Sequence, residues 1–183
     1  MLALLMMLGA LSEREVVTEK VVQGTPREVF ALWTCPDSVR TFFAPDAVID
    51  PRVGGEYTML FAPQQDPQGL SHGTKGARIL AFEPGKRLVF EWIPFTARAI
   101  PGMPGPPVAS AAERSASMTT VELTFTAKGR GSTLVRLRHR GFRDGALWDE
   151  SHAYFARVWP MVLQSLERQA TYFTLKRKES MSH

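Results

Sequence analysis

A single cysteine, Cys35, stands in 183 residues. An internal disulfide is thereby excluded, and so is a thiolate zinc site, which needs several ligands at set spacing. A lone free thiol behaves as a small hydrophobe, so Cys35 is expected to be buried. No apolar run reaches the ~20 residues that cross a bilayer, and no integral membrane span is expected. No glycine run precedes a helix as a phosphate loop would, and Ser71, Ser115 and Ser117 fall in loops without a nucleophile-elbow context. Nucleotide-binding and serine-hydrolase readings therefore lack support, and neither a metal nor a cofactor is expected.

Concentrated charge of one sign is scarce as well. The net charge of +4 arises from basic residues spread along the chain. Arg136, Arg138 and Arg140 alternate with Val135, Leu137 and His139, which puts the arginines on the solvent side of a strand. No aromatic interleaves them, so nucleic acid is not an expected partner.

What is present is ordinary for a globular chain: 44% hydrophobic and 22% charged residues, at a length that suits one domain. Met1 to Ser12 reads MLALLMMLGALS, an apolar segment with a small-x-small site at Ala10, Leu11 and Ser12 but no preceding Lys or Arg. It is either a signal peptide, which would send the protein to the periplasm or outside, or an N-terminal apolar helix on a cytoplasmic protein. The domain proper is expected over 13–175, with a polar, basic tail at 176–183 carrying Lys176, Arg177 and Lys178.

Along the domain, Arg14 to Gln23 reads as a first strand. Thr25, Pro26 and Glu28 then combine an N-cap, a proline at the first helical position and a capping-box acid, predicting a helix from Pro26 to about Cys35. Pro36 ends it, and Asp37 to Phe42 makes a second short helical turn. The hydrophobic period then changes to two, giving strands at Ala47–Pro51, Glu56–Phe61, Lys75–Phe82, Arg87–Ile93, Met118–Ala127 and Thr133–Arg140. Val121, Leu123 and Phe125 share one face, as do Tyr57, Met59 and Phe61. Pro94 to Ser117 contains five prolines and two glycines and interrupts the sheet as a long loop. A helix from about Gly145 to Leu175 closes the chain, with Trp148, His152, Phe155, Trp159, Val162, Leu163 and Leu166 at spacings of three and four. Pro160 lies inside it and is expected to kink it. Arg143, Asp144, Asp149 and Glu150 crowd its start, where acidic groups suit the helix dipole.

This order of elements, together with TPREVFALWTCPDSVRTFF (Thr25 to Phe43), GGEY (Gly54 to Tyr57), ILAFEPGKRLVFEW (Ile79 to Trp92), GSTLVRLRHRGF (Gly131 to Phe142) and YFARVWPMVLQSLER (Tyr154 to Arg168), resembles the START-like (SRPBCC) superfamily. Within it the likeness is to the AHSA-like family, named after the activator of the heat-shock protein ninety ATPase. The resemblance implies an α+β helix-grip fold: a curved antiparallel sheet of about six or seven strands around a long C-terminal helix, with two short helices after strand 1. Its members include co-chaperone domains, lipid carriers and cyclases, so fold alone does not assign an activity.

A sheet gripping a helix leaves a concave, mainly apolar space suited to a hydrophobic small molecule. Expected around it are Trp33 from the first helix, Tyr57, Met59, Phe61 and Trp92 from strands, Phe95 and Phe142 from loops, and Trp148, His152, Phe155 and Trp159 from the long helix. Two inward histidines, His139 and His152, are the candidates for moving a proton, although no carboxylate completes a triad with them. His72 is expected to be exposed. Three functions follow: a carrier or sensor with Pro94 to Ser117 as a lid, a cyclase- or dehydratase-type enzyme, or a co-chaperone-like module with a protein partner or a second copy of itself.

Overall fold

A computed structural model of the chain describes residues 14–70, 72–93 and 116–180. The first strand, β1 (Glu15–Gln23), leads into α1 (Pro26–Thr34) through the expected capping box. The Glu28 amide donates to Thr25 Oγ1 at 3.4 Å, and the Thr25 amide donates to Glu28 Oε2 at 2.7 Å. Two amides with no carbonyl partner inside the helix are thus satisfied reciprocally. Val29, Phe30 and Trp33 form the buried face of α1. The next helix, α2 (Pro36–Val39), begins one residue after α1 ends. Cys35 sits at that junction, capping both helices through its backbone, and its thiol is exposed. The expectation of a buried cysteine is therefore corrected: a residue between two helix ends turns its side chain away from both packed faces.

Among the described residues seven strands follow the antiparallel pattern, divided between two sheets. The main sheet has the order β1-β7-β6-β5-β4, with β4 (Ile79–Glu83), β5 (Arg87–Trp92), β6 (Thr119–Ala127) and β7 (Ser132–Arg140). Strands β2 (Asp46–Ile49) and β3 (Tyr57–Leu60) make a separate pair, tied to the main sheet through the Glu56–Arg78 bridge and a hydrogen bond from the Tyr57 amide to the Ala77 carbonyl at 2.9 Å. The β4 strand starts later than the hydrophobic pattern suggests, because Thr74 and Ala77 close a turn with Gly76 at φ 97° between them. Strand β3 is buried on both faces, where alternation implied one. Its second face is covered by the loop that follows: the Met59 amide donates to Thr74 Oγ1 at 2.8 Å, and that hydroxyl donates to the Tyr57 carbonyl at 3.1 Å. His72, expected to be exposed, is half-buried in this loop, where its amide donates to Asp66 Oδ2 at 2.6 Å.

Alternation on β6 and β7 is as the sequence implies. Val121, Leu123, Val135, Leu137 and His139 are all 0% exposed. On the other face the arginines are interleaved with carboxylates from the neighbouring strands: Arg138 meets Glu15 at 2.9 Å, while Arg87 and Arg140 flank Glu122 at 2.5 and 3.0 Å. Burial works to raise the Glu122 carboxyl, but its hydrogen bond to Arg87 and the charges of Arg87, Arg140 and Arg138 outweigh it and hold the group below the usual glutamate range.

The long helix, α3 (Ala146–Ser180), runs for 35 residues, about 52 Å at 1.5 Å per residue. It extends beyond Leu175, so Lys176 and Arg177 lie on its last turns. Arg177 is ion-paired with Glu28 of α1 and holds these turns against the fold. Pro160 sits within the helix on its exposed side, where the Ala156 carbonyl, denied an amide donor at residue 160, can meet water. Phe155, Trp159, Leu163, Leu166 and Ala170 make the buried stripe, and Lys20 to Glu167 at 2.9 Å ties β1 to the helix flank. At its start, Asp149 lies in the first turn and pairs with Arg14 at 2.6 Å.

Candidate functional site

Between the sheet and α3 the aromatic side chains pack ring on ring, in two groups that share Trp159. Toward the N-terminal end of α3, His139, Phe142, His152 and Phe155 are in contact: the His139 and Phe142 ring centroids are 4.5 Å apart, and Phe142 and His152 5.1 Å. Toward its middle, Phe43 touches Trp33 (5.5 Å), Phe61 (6.0 Å), Trp92 (5.7 Å) and Trp159 (5.8 Å). Trp159 itself stacks on Phe155 at 5.7 Å and so joins the groups.

Among the expected ligand-binding residues, Trp33, Tyr57, Met59, Trp92, Phe155 and Trp159 are at most 1% exposed, and the Trp159 ring contacts those of Trp92 and Phe155. Phe142 is 8% exposed. Phe61, Trp148 and His152 are half-buried. Trp148 stands at the start of α3 with the Arg143 guanidinium over its ring at 5.3 Å. Phe95 lies outside the described residues, as do Met1 to Ser12 and the expected lid apart from its last two residues.

His139 occupies a complete hydrogen-bond relay. The Thr119 hydroxyl donates to the Trp92 carbonyl at 2.7 Å, so its oxygen is left to accept from His139 Nε2 at 2.8 Å. His139 Nδ1 in turn accepts from the Trp159 indole N–H at 3.0 Å. An indole nitrogen can only donate, so the chain of partners fixes the neutral tautomer protonated at Nε2. Burial, with a smaller contribution from the charge of His152, pushes the His139 imidazole down to about 3. A ring with both nitrogens engaged and no charge at neutral pH orients Trp159 and Thr119. His152 is the more available of the two, with Nε2 3.2 Å from the Glu15 carbonyl.

The sequence reasoning missed the residues where this aromatic interior reaches the surface. Phe42 and Phe43 follow α2, and with Arg40, Thr41, Ala44 and Pro45 they form one wall of a groove of about 370 Å³; Ser165, Arg168 and Gln169 of α3 form the other. That volume falls at the lower end of the range for small-molecule sites. The signal available was the pair of phenylalanines just before Pro45, too many rings for a four-residue helix to bury by itself. A second groove, of about 310 Å³, lies between α1 and the last turns of α3 over Val29, Leu32, Ala170 and Phe173, and the Glu28–Arg177 pair spans it. Its lining residues include none of the rings that contact the central tryptophans among the described residues.

Two buried polar atoms in this region have no hydrogen-bond partner among the described residues: Trp33 Nε1 and Ser151 Oγ. Among the described residues there is also no group of three side chains suited to a metal, and no helix long and apolar enough to cross a membrane.

Solved structures with the same fold include protein MLL2253 from Mesorhizobium loti, with a TM-score of 0.63 at 20% identity over 85% of this chain and 96% of that one. The Aha1 dimer from Colwellia psychrerythraea gives 0.61 at 13% identity over 86% and 96% of the two chains. CalU16 from Micromonospora echinospora gives 0.56 at 21% identity over 85% and 73%. No protein of curated function matches the sequence. The family model described as activator of Hsp90 ATPase homolog 1-like protein matches residues 23–170. With that match and the helix-grip arrangement of sheet and α3, the chain belongs to the activator of Hsp90 ATPase homolog 1-like family of the START-like superfamily.

Proposed function

We propose that the protein binds a mainly apolar small molecule between the sheet and α3, as a carrier or sensor. The observation that supports this reading is the position of Phe43. Its ring is half-buried, it lines the groove against α3, and it touches Trp33, Trp92 and Trp159 behind it. An apolar guest entering the groove meets an aromatic wall at once, and burying apolar surface contributes about 25 cal/mol per Å² removed from water. The unpartnered Trp33 indole N–H adds a donor behind that wall.

Native mass spectrometry of the protein purified from its own host, followed by extraction, tests the reading. A stoichiometric apolar compound is the expected result; protein that is empty in repeated preparations contradicts it.

A second reading, a module that contacts another protein or a second copy of itself, is favoured by the outer face of α3. Met161, Tyr172 and Leu175 lie on one side of the helix and are 64%, 52% and 54% exposed. The Colwellia psychrerythraea neighbour is described as a dimer. Sedimentation of wild type against a Met161→Glu, Leu175→Glu variant decides it: a concentration-dependent dimer lost in the variant supports this reading, and a monomer at all concentrations removes self-association.

A further inference from the structure

The groove is not electrically neutral, and its two arginines differ. Arg40 is fully engaged, by Asp37 and by Asp46, the latter at 2.7 Å. Arg168 meets no carboxylate among the described residues; its Nη2 donates to Ser165 Oγ at 2.8 Å, one turn back on α3, and the rest of the guanidinium faces the groove region unpaired. The second groove offers the contrast, since its arginine, Arg177, is already neutralised by Glu28. Gln169 lines the same wall as Arg168, and behind Phe42 and Phe43 the buried Trp33 indole N–H has no acceptor among the described residues. The groove thus holds one cationic donor without a carboxylate partner among the described residues, Arg168, beside an apolar ring surface.

We propose that the ligand is an amphipathic carboxylate: a planar apolar body lies against Phe42 and Phe43, and its carboxylate pairs with Arg168 at the mouth of the groove. A guanidinium presents parallel N–H donors that match the two oxygens of a carboxylate, which gives orientation as well as attraction. The surrounding rings, set edge-on and stacked at 5–6 Å, suit a flat body better than a flexible chain. This inference rests on the apolar-ligand reading and adds the chemistry of the head group.

Calorimetric titration with 2-naphthoate and with 2-naphthylmethanol, which share the same bicyclic body and differ in charge, separates the two ideas. Wild-type protein is expected to bind the carboxylate about tenfold more tightly, the size of a hydrogen bond to a charged group at a partly exposed site. In Arg168→Gln that preference disappears while the alcohol binds as before, and in Arg157→Gln, which removes an equal charge from another part of α3, the preference persists. Equal binding of the two compounds, or a preference that survives in Arg168→Gln, overturns the carboxylate inference and leaves the apolar-ligand reading intact. Binding of neither compound overturns both.

Discussion

Replacing His139 with glutamine keeps a donor and an acceptor between Thr119 and Trp159 but removes the group that titrates. At pH 7 the variant is expected to be less stable by about 2 kcal/mol, since an amide fits an imidazole's partners imperfectly in a packed interior. The informative quantity is how that gap changes with pH. The folded-state value of His139 is depressed to about 3, below the ~6.5 of an unfolded histidine. As pH falls through 6.5 the unfolded chain takes up a proton that the native protein refuses, so His139 contributes stability that is full above 6.5 and is lost as pH falls toward 3. Between pH 7 and 5 this linkage amounts to about 2 kcal/mol. The other three histidines are common to both proteins, so their titration cancels in the difference. Urea unfolding at the two pH values should show wild type losing its advantage, with the gap closing by about 2 kcal/mol at pH 5. A gap that is constant from pH 7 to 5 would refute the assignment of a neutral, fully bonded His139.

Other perturbations test separate parts of the account. Thr25→Ala removes half of the capping box and should cost about 1 kcal/mol in urea unfolding, and no change would mean that α1 does not depend on its cap. Gly55→Ala would place a Cβ 2.1 Å from the Asp50 carbonyl oxygen, which is backbone and cannot turn away. A loss of about 3 kcal/mol and a melting point about 9 °C lower are expected, whereas Gly54→Ala, open in space but at φ 78°, should cost only about 1 kcal/mol. Glu122→Gln leaves Arg87 and Arg140 without their shared carboxylate and should cost about 2 kcal/mol at pH 7. Because Glu122 is held below the ordinary glutamate range when folded, its contribution is present above that range and is lost as pH falls through the folded value. The penalty of the variant should therefore vanish in strong acid.

Local chemistry wrote most of the elements legibly. Thr25, Pro26 and Glu28 place the start of α1 to the residue, and the alternation of Val121, Leu123 and Phe125 with polar neighbours places β6 and its buried face. Long-range packing was harder to read. Whether β3 faces solvent on one side depends on where the Asp66–Ala77 loop folds back, and nothing in the period-two pattern of Tyr57 to Phe61 encodes that. The exposure of Cys35 follows from two helix ends meeting, while composition statistics treat any free thiol as interior. For the site, apolar spacing on α3 identifies which residues face inward, but the same spacing cannot distinguish a ring that lines a groove from one that fills the core. Trp159 and Phe155 turned out fully enclosed, while Phe43, outside any regular element, lies at the opening. His139 was legible as inward-facing from its place after Val135 and Leu137; that its nitrogens are both engaged depends on Thr119 and Trp159, distant in sequence and adjacent only in the fold.

The most direct test of the central claim uses the four tryptophans as reporters. In a proton–nitrogen correlation spectrum, titration with 2-naphthylmethanol should shift the indole N–H signals of Trp33, Trp92 and Trp159 together with the backbone amides of Phe42, Phe43 and Arg168. The indole of Trp148, at the other end of the aromatic interior, should stay in place. Shifts confined to the outer face of α3 around Met161 and Tyr172, or a spectrum that does not respond, would contradict a ligand site between the sheet and the helix.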